Sequence, residues 1–136
     1  MKPAVLRRNT LIEATIALAL ARLAVHLLPA SRIVAWASRQ PRRVDRFLPP
    51  AIVDAVCRAV DEIGAKPWMQ ALCLPRALAV QAMLRRRGVG SRVCVGAGRE
   101  NGALAAHAWV ELDYPLPVPV GSSGQQQQFT RLVSFT

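Results

Sequence analysis

Two side chains in this 136-residue sequence have the types and setting that nucleophilic catalysis needs. Cys73 stands where a predicted helix begins, and His107 follows further along in a predicted strand. A helix N-terminus favours a thiolate because its unpaired N–H groups and the helix dipole stabilise negative charge, and Arg76 adds positive charge one turn later. A neighbouring imidazole takes the thiol proton and later protonates the leaving amine. Cys73 is therefore the candidate nucleophile and His107 the candidate general base.

Helical periodicity and capping signals predict the elements before His107. Thr10 and Glu13 form a T-x-x-E pattern that is typical of a helix start, and Pro29 ends that helix. Two further helices are predicted over Ala51–Ile63, followed by Gly64, and over Cys73–Arg87, followed by Gly88.

The second half of the chain changes to a two-residue period, which predicts strands. The strands are predicted over Ser91–Gly96, Ala105–Asp113 and Phe129–Phe135, with Asn101-Gly102 in a hairpin turn. Alternation puts His107, Trp109 and Glu111 on one face of their strand. Helices followed by an antiparallel sheet indicate the α+β class. The length fits a single domain over residues 1–136, helical over 10–64, with the catalytic helix and sheet over 65–136.

The apolar stretch Leu11–Leu28 raises the question of a signal peptide or membrane span. Glu13, Arg22 and His26 interrupt it, and a charged residue at mid-membrane costs about 2.5–3.5 kcal/mol. We therefore predict a core helix of a cytoplasmic protein with no membrane span.

Composition excludes several classes of protein. A hydrophobic fraction of 52% is too high for a disordered polycation. Three cysteines without clustered spacing argue against a disulfide scaffold and a structural zinc site, so no metal is expected. The net charge of +10 indicates an anionic partner or surface.

Three motifs together resemble the leader peptidase of lasso-peptide biosynthesis. They are Cys73-Leu74-Pro75-Arg76, the helix end Leu84-Arg85-Arg86-Arg87-Gly88, and His107-Ala108-Trp109-Val110-Glu111. The resemblance extends over about residues 10 to 113. It implies a transglutaminase-like, papain-like cysteine protease fold that uses no cofactor, with Cys73 as nucleophile and His107 as general base.

The resemblance also implies partners. A protease of this kind removes the leader from a ribosomally made precursor peptide, and an ATP-dependent macrolactam cyclase then closes the ring. The first 64 residues have a helical pattern without the strands of a peptide-clamping domain. We therefore expect a stand-alone form that receives its precursor from a separate leader-recognition protein.

The third member of the expected Cys-His-Asp triad is not evident, since no Asp or Glu follows Asp113. Asp113 shares a strand face with His107 but lies six residues away, roughly 20 Å at ~3.3 Å per residue. Ser122 could orient the imidazole as a neutral acceptor, or the third member could be missing. Loss of the orienting acid in other triads costs about 10⁴ in rate, so activity is expected to be weak.

The remaining candidates have simpler interpretations. Gln70, just before Cys73, could donate to an oxyanion. Cys57 and Cys94 are interpreted as packing residues, and Arg76 as a structural ion pair.

Two other functions compete with the peptidase. A basic nucleic-acid-binding domain would use Arg39–Arg46 or Arg85–Arg87 as its patch, although scarce aromatic residues argue against it, and no nucleic acid is expected as a partner. A transglutaminase-like acyl transferase would keep the Cys–His pair and deliver the acyl group to an amine instead of water.

Overall fold

A computed structural model describes residues 3–38, 50–100, 102–112, 118–120 and 129–135. In these residues, four helices precede a four-stranded antiparallel sheet, which confirms the α+β class. The helices are α1 Pro3–Leu27, α2 Ala30–Ala37, α3 Pro50–Gly64 and α4 Cys73–Arg86. The strands are β1 Ser91–Glu100, β2 Ala103–Leu112, β3 Val118–Val120 and β4 Phe129–Phe135, in the order β3-β2-β1-β4.

The predicted start of the first helix is wrong. Helix α1 begins at Pro3, so Thr10 and Glu13 lie inside it and cannot form a capping box. The Glu13 carboxylate instead accepts hydrogen bonds from Arg87 at 2.8 and 3.0 Å and from Arg86 at 3.0 Å, which joins α1 to the end of α4. This long-range ion pair replaces the local cap that the sequence pattern predicts.

Helix α4 lies at the centre of the core. It contacts α1 and α3 as well as β1 and β2. Its buried side chains, such as Leu78, Met83 and Leu84, join one apolar cluster with Leu18 of α1, Val60 of α3 and the strand residues Val93 and Val110. The helices and the sheet are therefore held together through α4.

A buried amide fixes the C-terminal half of α4 to its neighbours. The Gln81 Nε2 atom donates to the carbonyl oxygens of Ala37 at 2.7 Å and Ser91 at 3.3 Å. These bonds satisfy a carbonyl at the end of α2 and one at the start of β1, which would otherwise be costly to bury. The predicted turn after α4 is confirmed, because Gly88 has a positive φ of 78°.

The β1–β2 hairpin has the register that the Asn-Gly pair predicts. Glu100 pairs with Ala103, which leaves two residues for the connection, and Gly102 has a φ of 80°. The predicted last strand is also confirmed, since β4 pairs antiparallel with β1. Residues 39–49, which include the Arg39–Arg46 patch of the nucleic-acid hypothesis, lie outside the described residues.

Among the described helices, α1 is long and apolar enough over Arg7–Leu27 to cross a membrane, by length and composition alone. The large side chains of α1 are mostly exposed, whereas Ala14, Leu18 and Ala21 are buried. The helix therefore contributes a narrow face to the core and leaves a broad apolar face outside it.

Candidate functional site

Cys73 is the one cysteine of the three that is not buried. It is the first residue of α4 and is half-buried, packed at the edge of the apolar cluster. Cys57 on α3 and Cys94 on β1 are both buried, as their interpretation as packing residues predicts. Burial, together with Asp61 and Asp54, raises the pKa of the Cys57 thiol to about 12, so that thiol stays protonated at neutral pH. Only Cys73 has the exposure that a nucleophile requires.

The backbone that leads into Cys73 is fixed by hydrogen bonds at Ala71. The Ala71 N–H donates to the carbonyl oxygen of Gly64 at 2.9 Å, which closes the loop between α3 and α4. The Arg76 Nε atom donates to the carbonyl oxygen of Ala71 at 2.9 Å. Both bonds act two residues before Cys73, so they restrict where the thiol can lie.

Arg76 also forms the structural ion pair that the sequence predicts. Its Nη1 atom lies 3.7 Å from Oδ1 of Asp61 on α3. Burial raises the pKa of the Asp61 carboxyl, and Arg76 partly offsets that effect. Arg76 passes so close to Gly64 that a Cβ there would lie 2.8 Å from Nε. Gly64 is therefore part of the same arrangement, whereas the sequence predicts for it only a position at the end of a helix.

The N-terminus of α4 has no side-chain cap. Leu72 is the N-cap residue and makes no capping hydrogen bond, and the first turn contains no acidic side chain. The first N–H groups of α4 are consequently left to water or to a ligand. Such a helix end stabilises an anion, whether a thiolate or the oxyanion of a tetrahedral intermediate.

Gln70 lies in the loop before α4 and is exposed. Its φ of 43° places it in the left-handed region, which is uncommon for residues other than glycine. Its N–H donates to the carbonyl oxygen of Lys66 at 2.8 Å, so this N–H is already engaged. The role of its side chain as an oxyanion donor stays a prediction.

His107 lies on β2 opposite Gly96 of β1. Its ring stacks on that of Trp109, with centroids 6.0 Å apart and an interplanar angle of 21°. The Trp109 Nε1 atom donates to Oε1 of Glu111 at 3.1 Å. These contacts agree with the predicted alternation, which groups the three side chains on one face of β2.

The other face of β2 packs into the core. Ala108 and Val110 belong to the same apolar cluster as the buried face of α4, and Cys73 packs against that cluster. The His107 side chain thus projects from the strand face opposite the one in the core. Within the described residues, no hydrogen bond joins the Cys73 thiol to the His107 imidazole.

Counted from the Gln81–Ser91 contact, Cys73 and His107 lie at comparable distances along their own elements. Gln81 is bonded to Ser91, and a short loop links α4 to β1, so the two elements run in opposite directions. Cys73 precedes Gln81 by about 12 Å at ~1.5 Å per helical residue. His107, paired with Gly96, is about 16 Å from Ser91 along β1 at ~3.3 Å per residue.

Within the described residues, β2 lies at the edge of the sheet beside His107, whose Nε2 atom is buried. Strand β3 pairs only with residues 110–112 of β2, and within the described part of the chain β2 bonds only to β1 at His107. Asp113 and Ser122, the two candidates for the third triad member, lie outside the described residues.

The arginines that end α4 are engaged within the protein. Arg85 lies 4.3 Å above the Trp36 ring and donates to the Trp36 carbonyl oxygen at 3.0 Å. Arg86 and Arg87 bind Glu13. This cluster is therefore less available to phosphates than the nucleic-acid hypothesis requires.

Comparison with known protein families agrees with this arrangement of a cysteine-led helix on an antiparallel sheet. A model of the transglutaminase-like superfamily matches residues 10–134. No curated protein and no solved structure gives a significant match. The chain belongs to the transglutaminase-like superfamily, and that membership indicates cysteine-protease or acyltransferase-type activity.

Proposed function

We propose that the protein is a cysteine peptidase that removes the leader from a ribosomally made lasso-peptide precursor. The observation that carries the proposal is the position of Cys73, the one cysteine that is not buried, at the uncapped N-terminus of the central helix of a transglutaminase-like domain. The lasso-peptide class rests on the resemblance of the Cys73-Leu74-Pro75-Arg76 and His107-Ala108-Trp109 motifs.

In the proposed reaction, His107 takes the thiol proton of Cys73 and the thiolate attacks the carbonyl carbon at the end of the leader. The helix N-terminus stabilises the oxyanion. The peptide C–N bond breaks, the imidazolium protonates the leaving amine of the core peptide, and the leader remains as a thioester on Cys73. Water then hydrolyses the thioester and releases the leader as a carboxylic acid. The reaction needs no metal or cofactor.

The proposal requires the His107 imidazole to leave its stack on Trp109 and reach the thiol when substrate is bound. Catalytic hydrogen bonds are often long or absent before substrate binds. The acid that would orient the imidazole, Asp113 or a substitute such as Ser122, stays a prediction, and its loss would make the enzyme slow.

The partners follow from the same proposal. A separate leader-recognition protein delivers the precursor, and an ATP-dependent macrolactam cyclase uses the released core in the cytoplasm. The net charge of +10 supports rapid encounter with an acidic partner or leader.

Precursor processing tests the proposal. The purified protein, the recognition protein and the precursor are incubated together, and the products are identified by mass spectrometry. The wild type and Cys57→Ala are expected to release the leader, whereas Cys73→Ala is expected to release none above background. Processing by Cys73→Ala at the wild-type rate would refute the proposal.

The same assay separates hydrolysis from acyl transfer, which shares the thioester. A leader that ends in a free carboxylic acid supports the peptidase. A leader joined to an added primary amine, formed in preference to the acid at low amine concentration, would identify an acyl transferase.

A further inference from the structure

Most of the large aliphatic side chains described on helix α1 lie outside the core. Ala14, Leu18 and Ala21 are buried and Leu11, Ala17 and Val25 are partly buried against the core, whereas five large aliphatic side chains lie between 52 and 75% exposed. Their spacing of three and four residues places them on one side of the helix, and we call them the α1 stripe: Ile12, Ile16, Leu20, Leu23 and Leu27. Single exposed apolar residues are ordinary, but a continuous stripe of five marks an interaction surface.

The stripe borders a groove. One hollow of about 470 Å³ lies between α1 and α4 and is lined by Ile12, Ile16 and Met83. A second hollow of about 290 Å³ lies between α1, α2 and α4 and is lined by Leu28 and Trp36. Both hollows share Ala17, Leu20 and Ala82, so together they form one continuous apolar groove along the helices.

Positive charge lies near both ends of the α1 stripe. Arg8 is exposed one turn before Ile12, and Arg32 lines the second hollow. Within the described residues, neither guanidinium makes a hydrogen bond or an ion pair. Their charges are therefore available to an anionic partner.

We propose that this groove binds an amphipathic α-helix of a partner protein, with aliphatic side chains along one face and acidic residues at both ends. A helix laid in a groove buries apolar side chains at the spacing that the α1 stripe has. The aliphatic face would fill the two hollows, and the acidic ends would pair with Arg8 and Arg32.

Charge and shape argue against the other occupants of this surface. In a dimer formed through this surface, Arg8 and Arg32 of one copy would lie close to the same two arginines of the other copy, and each chain has a net charge of +10. A bilayer surface is flat and would leave the hollows unfilled, and the Glu13 carboxylate lines the larger one. The acidic helix satisfies both the concave shape and the positive ends.

The surface does not include Cys73 or His107, so the inference does not depend on the proposed function. Cys73→Ala is expected to bind a helix as the wild type does, even though it is expected to lose processing. Loss of helix binding and loss of catalysis are therefore separate results.

The test uses a synthetic 18-residue Leu/Ala helical peptide with Glu at both ends, and a matched peptide with Lys in place of Glu. Binding to the isotopically labelled protein is followed in NMR titrations through the shifts of the Ile and Leu methyl groups and the Trp indole N–H groups. We expect shifts in the α1 stripe and Trp36, with the Glu peptide at least tenfold tighter than the Lys peptide. Leu20→Ser is expected to weaken binding at least tenfold, and the control Leu104→Ser, at a position 83% exposed on β2, is expected to leave it unchanged.

A charge reversal keeps the inference testable even if Leu20→Ser perturbs folding. Arg8→Glu/Arg32→Glu is expected to make the protein prefer the Lys peptide over the Glu peptide. Equal binding of the two peptides, or shifts outside the groove, would overturn the proposal. Two further results would overturn it if the Glu peptide also failed to bind the wild type. One is binding of the wild type to phosphatidylglycerol vesicles that is lost in Leu20→Ser. The other is a wild-type dimer, seen by sedimentation, that is lost in Leu20→Ser.

Discussion

The Nε atom of Arg76 donates a hydrogen bond to the carbonyl oxygen of Ala71 at 2.9 Å, from the first turn of α4 back to the loop before it. The same guanidinium reaches Asp61 on α3 and passes over Gly64. One side chain thereby fixes the approach of the chain to Cys73.

Gly64→Ala is expected to destabilise the protein by about 1–2 kcal/mol, because its Cβ would displace Arg76 and break a hydrogen bond of a charged donor. In an Arg76→Ala background the same substitution is expected to be neutral or stabilising by up to about 1 kcal/mol, since alanine is the better helix residue. Urea unfolding of the two single variants and the double variant measures the coupling. If Gly64→Ala changed the free energy of unfolding equally in both backgrounds, Arg76 would not be the cause of the destabilisation.

Glu13→Gln is expected to lower the free energy of unfolding by about 1 kcal/mol, because it removes the paired acceptor of Arg87 in a partly buried site. Arg86→Ala is expected to cost less than about 0.5 kcal/mol, since the Arg86 side chain is 72% exposed. Thermal unfolding compares the two variants. A larger loss of stability for Arg86→Ala than for Glu13→Gln would mean that the Arg86–Glu13 pair, and not the Arg87–Glu13 pair, joins α1 to α4.

Some of these contacts could be predicted from local sequence patterns and others could not. The hairpin and α4 were predictable because alternation, the Asn-Gly pair and the Gly88 turn are local signals. The Glu13–Arg87 pair was not, because it joins residues on two different helices, and the local T-x-x-E pattern gave the wrong helix start. The spacing of Ile12, Ile16 and Leu20 reveals an apolar stripe but not that Ala14 and Leu18 take the core side.

The candidate site likewise contains some features that the sequence predicts and others that it does not. The sequence predicts that Cys73 begins a helix and that His107, Trp109 and Glu111 share a strand face. It contains no local signal for which face of β2 meets α4, and in the structure Ala108 and Val110 take that position. Gly64 and Arg76 meet only because the loop brings α3 and α4 together.

Iodoacetamide is expected to modify one cysteine in the native protein. Cys73 is half-buried, whereas Cys57 and Cys94 are buried, and only an exposed thiolate reacts quickly. Peptide mapping after brief labelling at pH 7.5 is expected to find the label on Cys73, and labelling in urea is expected to reach all three. Native labelling of Cys57 at the rate of Cys73 would contradict the burial of α3.

Alkaline pH is expected to weaken folding through Cys57. Its thiol has a pKa of about 12 in the folded protein against 9.0 ordinarily, so above pH 9 the unfolded chain releases this proton while the folded protein retains it. Stability then falls from pH 9 towards 12, by about 2 kcal/mol at roughly pH 10.5. Cys57→Val is expected to remove this component from the urea-unfolding profile. An identical pH dependence in the wild type and Cys57→Val would contradict the prediction.

The central claim is that Cys73 carries the leader as a thioester, and intact-protein mass spectrometry of acid-quenched reactions tests it most directly. With precursor and recognition protein present, the wild type is predicted to gain the mass of the leader less one water, and peptide mapping is predicted to locate it on Cys73. His107→Ala is predicted to form this adduct much more slowly, and Cys73→Ala not at all. Leader release by Cys73→Ala, or an adduct on another residue, would contradict the account.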